Sequence, residues 1–305
     1  MTKNPVARHK YMKNKSLTLL LIGLICLYFT NIARAISTSK INEKPTIIAL
    51  SPHIVEMLYD IGAGEHIIGT TSFADYPEQA KNIPIIGNYL RLQIEKVISL
   101  QPDYIIAWKS GNPSDDLARL KQLGFTIVYS QPNSFKDIAK EMREFGRLTG
   151  HKAQAETTAQ QLLNDLDKIT RQYQNKEPIT VFYELWSRPL TTVAQGSWPQ
   201  QLLNICKAKN PFEHATASFP QINIEKILLS PVQLIIQPLS INQTDKEAFN
   251  WQDWPIIPAV ANKQIIQPNA DAMHRMSMRS LKELKKLCAD IDKTRQWIHK
   301  KKRSN

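Results

Sequence analysis

Ile94-Glu95-Lys96-Val97-Ile98-Ser99-Leu100-Gln101-Pro102-Asp103-Tyr104-Ile105-Ile106 returns 130 residues later as Ile224-Glu225-Lys226-Ile227-Leu228-Leu229-Ser230-Pro231-Val232-Gln233-Leu234-Ile235-Ile236. Each copy reads as a short helix, a turn at proline and a buried strand. Proline cannot continue the helix, and it biases the residue before it towards extended backbone. The apolar run that follows suits a strand covered on both faces in a parallel sheet. Helix–proline–strand is common in α/β proteins, so the pattern alone is ordinary. The shared Ile-Glu-Lys start, in corresponding places, argues for two lobes of common architecture.

Working outward, Thr46–Leu50, His66–Thr70 and Phe125–Tyr129 are further strand candidates, joined by helical stretches. Ser51-Pro52 supplies an N-cap and first-turn pair, and Ile54, Val55, Met57, Leu58 and Ile61 form a helical stripe that stops at Gly62 and Gly64. Strands separated by helices imply an α/β lobe with a mostly parallel sheet. Residues 134–176 hold no proline before the closing Lys176-Glu177-Pro178, and their apolar residues recur at helical spacing, with a break allowed at Gly150. A second α/β unit follows, with strands at Ile179–Leu185, Leu234–Gln237 and Gln264–Gln267. The predicted organisation is an N-terminal lobe over 36–133, a connecting helix over 134–176 and a C-terminal lobe over 177–305. Two Rossmann-like lobes on one long rigid helix leave a cleft between them, and such clefts favour ligands.

The composition is that of a folded soluble chain, 42% hydrophobic and 22% charged. Its net charge of +12 is concentrated at the ends. Six of those charges lie in residues 1–35, which carry no acid, and four more in Lys300, Lys301, Lys302 and Arg303. The remaining +2 on the body gives no basic stripe for nucleic acid. The basic segment from Lys3 to Lys15, the apolar run Leu17–Phe29 and Ala33-Arg34-Ala35 are the three parts of a cleaved export signal, 1–35. A membrane anchor is the alternative, but the run is shorter than the ~20 residues that span a bilayer. Cys26 follows Leu24 and Ile25, too large for a lipidation site. Export leaves Cys206 and Cys288 in an oxidising compartment, where one disulfide is favoured over two buried thiols.

Leu50-Ser51-Pro52-His53, Glu56-Met57-Leu58, Ala74-Asp75-Tyr76-Pro77, the Ile94–Trp108 stretch, Phe219-Pro220-Gln221 and Asp271…Arg275 together resemble the periplasmic cobalamin binders. These belong to the helical-backbone family of substrate-binding proteins, which also includes haem and ferric-siderophore binders. The resemblance covers nearly all of residues 45–292 in order. It implies a carrier that captures cobalamin in the cleft and docks on an inner-membrane ABC permease dimer with its ATPase subunits, and that is a monomer when free. Position by position it implies a ligand site with Phe73, Tyr89, Trp108 and Phe219 as aromatic walls. Asp271, Ala272, Met273, His274 and Arg275 stand where the family has a polar, usually more aromatic, contact loop. His53 and His274 are expected at the cleft, with direct metal ligation the minor reading for each. Trp186, at a strand end, faces either cleft or core. Glu95 and Glu225, one per lobe, correspond to carboxylates that meet arginine pockets on the permease.

An exported enzyme is the rival class. The chain has no Gly-rich phosphate loop, no Gly-x-Ser-x-Gly elbow and no His-Glu-x-x-His helix, and its seven histidines show no ligand spacing. No catalytic residue, resident cofactor or metal site is expected. Haem or a ferric siderophore is the rival ligand; Arg91, Arg188 and Arg275 would suit an anionic siderophore.

Overall fold

The computed structural model describes residues 44–240 and 248–304; the expected export signal lies outside them. Strands β1 (Ile47–Ala49), β2 (Ile67–Thr70), β3 (Tyr104–Trp108) and β4 (Ile127–Ser130) form a parallel sheet in the order β2-β1-β3-β4. Strands β5 (Ile179–Tyr183), β8 (Ala208–Lys209), β9 (Leu234–Ile236) and β10 (Ile265–Ile266) form another parallel sheet in the order β8-β5-β9-β10. Between β5 and β8 lies a small antiparallel hairpin of β6 (Trp186–Ser187) and β7 (Leu190–Thr191). Both sheets place their first strand between their second and third. The repeated stretch supplies the third strand each time, preceded by α2 (Ile94–Leu100) in one lobe and α7 (Ile224–Leu228) in the other. The echo in the sequence is thus one topology used twice.

Local chemistry accounts for the elements of the first lobe. Helix α1 (Pro52–Asp60) begins on an extended Ser51 with Pro52 at its first turn. The Ser51 hydroxyl does not cap an amide; it bonds the His53 ring instead. Gly62, at φ +80°, lets the Ala63 amide reach back to the Leu58 carbonyl at 2.8 Å and end the helix. Helix α3 (Ser114–Gln122) covers the other side of the sheet, where Leu117 and Leu120 pack with Ile105 and Ala107.

The segment 134–176 breaks at Gly150 into α4 (Phe135–Thr149) and α5 (Lys152–Tyr173). The two helices pack on each other so closely that a Cβ on Gly146 would sit 2.3 Å from that of Ala155, and Arg143 pairs with Glu156 at 2.7 Å. Helix α4 packs against α1 in the first lobe, so the span between the sheets falls to α5 alone. Its 22 residues are about 33 Å long.

The second lobe adds α6 (Trp198–Ile205), α8 (Pro258–Ala261), α9 (Ala270–His274) and the long α10 (Met278–Ser304). Cys206 closes α6, Cys288 lies in α10, and the two are joined in a disulfide with Cα atoms 4.8 Å apart. The expected bridge between two helices of the C-terminal half is therefore present. Helix α10 also packs against α5 and α1, so it braces both lobes. Its basic end, Lys300 to Arg303, is exposed.

Candidate ligand-binding cleft

A cavity of about 600 Å³ has Trp108 of the first lobe on one side and Trp186, Trp198, Phe219, His274 and Met276 of the second on the other. A more polar cavity of about 470 Å³ shares Leu185, Trp186 and His274 with it and adds Glu184, Arg188 and Gln237. Trp186 is 66% exposed and Phe219 52%, so large rings stand bare to solvent. Aromatic faces of this kind give wide apolar contact at low entropic cost.

Trp108 is fixed from below. His53 meets it edge-on, with ring centroids 5.5 Å apart, and Gly111 leaves room for the indole, which a Cβ there would meet at 1.9 Å. Ser130 donates to Glu141 at 2.6 Å, so its oxygen accepts from His53 Nε2 at 3.0 Å, and His53 Nδ1 then accepts from Ser51 at 2.7 Å. Both ring nitrogens of His53 are engaged. Burial lowers its pKa to about 3, so the ring is neutral. The structure thus puts His53 beneath the tryptophan rather than at the open face. There it packs edge-on against the indole of Trp108.

His274 lies where the two cavities meet, half-buried, with Nε2 2.9 Å from the Tyr183 hydroxyl. Burial lowers its pKa to about 4, opposed by Asp271. The rest of the segment 271–275 behaves differently from the contact loop expected. It is part of helix α9, capped by the Asn269 side chain on the Ala272 amide. Ala272 and Met273 are buried. Asp271 and Arg275 pair one helical turn apart at 3.3 Å. Phe73 and Tyr89 are exposed on first-lobe loops and line neither cavity. Phe73, at φ +70°, lies two residues before Asp75, which binds Arg275 at 2.6 Å.

That ion pair belongs to a cluster that the sequence did not reveal. Glu56, only 1% exposed in α1, takes Arg275 at 3.3 Å, Arg279 at 3.1 Å and the Ser277 hydroxyl at 2.5 Å. Arg279 also covers the Tyr76 ring at 4.5 Å. Asp60, at the end of α1, accepts from the Met278 amide at 3.2 Å. The segment 271–279 is thereby tied to the first lobe at the edge of the cleft. The available signal was a lone glutamate inside the apolar stripe of α1, since a buried carboxylate needs partners.

Burial raises the Asp60 pKa from 3.8 to about 7, with the Met278 bond and Lys282 opposing and Glu56 adding. The native chain therefore holds this proton through a pH range in which the unfolded chain has lost it. Stability falls as pH rises from about 4 to 7, by roughly 2–3 kcal/mol after allowing for residual solvent contact. Asp60→Asn is expected to flatten that slope, as read from urea melts at pH 4.5, 6 and 8.

Glu95 and Glu225 stand exposed in the first turns of α2 and α7, the equivalent helices of the two lobes. Arg119 approaches Glu95 only to 4.0 Å. Leu229, beside Glu225, is 87% exposed.

The chain matches the periplasmic binding protein family model over residues 47–272. A vitamin B12-binding protein of Vibrio vulnificus is 34% identical over 244 residues, 79% of this chain and 88% of that protein. The crystal structure of the periplasmic vitamin B12-binding protein BtuF of Vibrio cholerae superposes with a TM-score of 0.76 at 32% identity, covering 83% of this chain and 98% of that one. The apo periplasmic heme-binding protein RhuT of Roseiflexus sp. RS-1 shares the fold at a TM-score of 0.72 and 19% identity, with 83% and 99% covered.

Proposed function

The chain belongs to the periplasmic binding protein family, and on that footing we propose that it carries cobalamin in the cleft as the substrate-binding component of an ABC importer. The observation that carries this reading is the cavity of about 600 Å³ walled by Trp108 from one lobe and Trp186 and Phe219 from the other. A flat corrin ring with amide arms needs broad apolar faces and a few uncharged polar groups. The neutral His274 and Gln221, which line the same cavity, offer the polar groups. Phe73 and Tyr89 extend the first-lobe side as exposed rings that a large ligand would cover.

We read the lobes as 36–133 and 177–305 and the segment between them, 134–176, as the connector in which α5 makes the crossing. The protein acts in the periplasm after removal of residues 1–35, and as a binder rather than an enzyme, like its relatives. The haem reading is weaker because His53 is buried beneath Trp108 with both ring nitrogens engaged, and His274 commits its Nε2 to the Tyr183 hydroxyl. The siderophore reading is weaker because Arg275 is already held by three carboxylates, leaving Arg91 and Arg188.

Titration of the mature protein with cyanocobalamin, haemin and a catecholate siderophore tests the choice. Cyanocobalamin is expected to bind one to one and most tightly, and Trp108→Ala to weaken it roughly 10–100-fold through lost aromatic contact. Tighter binding of haemin or siderophore would overturn the assignment. Glu95 and Glu225 are read as the docking carboxylates, one for each half of a permease dimer. Reversing both, Glu95→Arg with Glu225→Arg, is expected to weaken permease association by about tenfold or more with cobalamin affinity unchanged. Pull-down or surface-resonance measurements on detergent-solubilised importer give the comparison.

A further inference from the structure

Two histidines of the first lobe take no part in the cleft. His66, in the single turn Gly64–His66 before β2, is buried, and His151 begins α5 just after Gly150. Their rings meet edge-on with centroids 5.1 Å apart. His66 Nδ1 lies 2.8 Å from the Pro45 carbonyl, which can only accept, so the proton is on Nδ1 and Nε2 carries a lone pair. That Nε2 is buried and has no hydrogen-bond partner. Such an orphan is destabilising unless something occupies its lone pair.

His151 repeats the arrangement. Its Nδ1 lies 3.0 Å from the Thr149 carbonyl and 3.2 Å from the Thr149 hydroxyl oxygen. That hydroxyl already donates to the Phe145 carbonyl at 2.8 Å, so towards the ring it accepts. His151 Nδ1 is therefore protonated too, and its Nε2 is likewise a lone-pair donor. An imidazole whose Nδ1–H is fixed by a carbonyl, with Nε2 left basic, is the arrangement metal-binding histidines use. One ligand atom each from His66, His151 and the exposed Glu65 lie within 4.8 Å of one another.

We propose that Glu65, His66 and His151 form a zinc site, with two imidazole nitrogens and one carboxylate oxygen as protein ligands and water in the fourth position. Tetrahedral zinc, with bonds of about 2.0–2.1 Å, spaces its ligands roughly 3.4 Å apart. Binding would draw the three ligand atoms together from their present spacing of up to 4.8 Å. Imidazole and carboxylate suit zinc, while calcium and magnesium favour oxygen-only sets. The ion would clasp the entry to β2 onto the turn between α4 and α5, at the root of the span to the second lobe.

The test uses the mature chain without a histidine tag, stripped with EDTA and dialysed against Zn²⁺. About one zinc per chain is expected by mass spectrometry, with native stability rising about 100-fold, near 2.7 kcal/mol, when free zinc is 100 times Kd. Glu65→Gln is expected to weaken binding about tenfold or more, and His151→Gln to abolish it at that zinc concentration. X-ray absorption of the zinc-loaded wild type should show two imidazoles in the first shell, which settles the ligands even if His151→Gln folds poorly. Failure of the wild type to take up zinc, undiminished zinc on a folded His151→Gln, or a first shell without imidazole would each overturn the proposal.

Discussion

Glu56→Ala is expected to lower the free energy of unfolding by about 3–5 kcal/mol, the range for removing one partner of a buried ion pair. The substitution deletes a carboxylate that is 1% exposed and leaves Arg279 and the Ser277 hydroxyl without their acceptor. Arg275 keeps Asp75 and Asp271, so the loss falls mainly on Arg279 and Ser277. Burial raises the pKa of Glu56, while Ser277, Arg279 and Arg275 draw it back. Breaking such a buried pair is costly even where the intact pair adds little net stability. A double-mutant cycle with Arg279→Ala separates the two. The coupled loss should be clearly smaller than the sum, because an uncompensated buried charge is then removed along with its partner. A loss below about 1 kcal/mol for Glu56→Ala in urea melts would mean that water enters the cluster freely.

The second large effect is expected from Cys206→Ala with Cys288→Ala. The bridge spans 82 positions, and tethering a loop of that size in the unfolded chain stabilises the fold by about 4 kcal/mol in the loop-entropy account. For a chain of this length the loss should lower Tm by about 10 °C. Arg295 limits the local damage: its guanidinium bonds the carbonyls of Glu177 at 2.7 Å and Cys206 at 3.0 Å, holding the start of β5 and the end of α6 to α10 without the bridge. The variant is therefore expected to keep its native circular dichroism and cobalamin affinity while melting earlier. Reduction of the wild type with dithiothreitol should reproduce the shift. An unchanged Tm would show that the unfolded chain keeps these segments together by other means.

What the sequence revealed and what it hid follow from how each feature is encoded. Strands β1, β3, β5 and β9 were legible because burial on both faces writes an unbroken apolar run. Strand β8, only two residues long, and the two-residue arms of the β6–β7 hairpin are too short to show any period. The break at Gly150 was legible as a glycine. That α4 folds back on α5 was not, since it depends on the space left by Gly146 against Ala155. Trp108, Trp186, Phe219 and His274 line one cavity. The resemblance places a contact loop at 271–275; the segment is instead helix α9 and its C-terminal cap, with Asp271 paired to Arg275 and Arg275 to Asp75 of the first lobe. Glu65, His66 and His151 escaped notice because spacing along a chain says nothing of residues 85 positions apart.

The N-terminal end of α10 holds the first lobe through Asp60 and Glu56, and its middle is covalently fastened to α6. With α5 as the other crossing, the jaws of the cleft are riveted at two separate places. A gripper so constrained has little travel: cargo must enter an aperture already set, and its affinity is not spent on shutting a door. On the proposed carrier reading, unloading would then need leverage from outside, applied to both jaws at once.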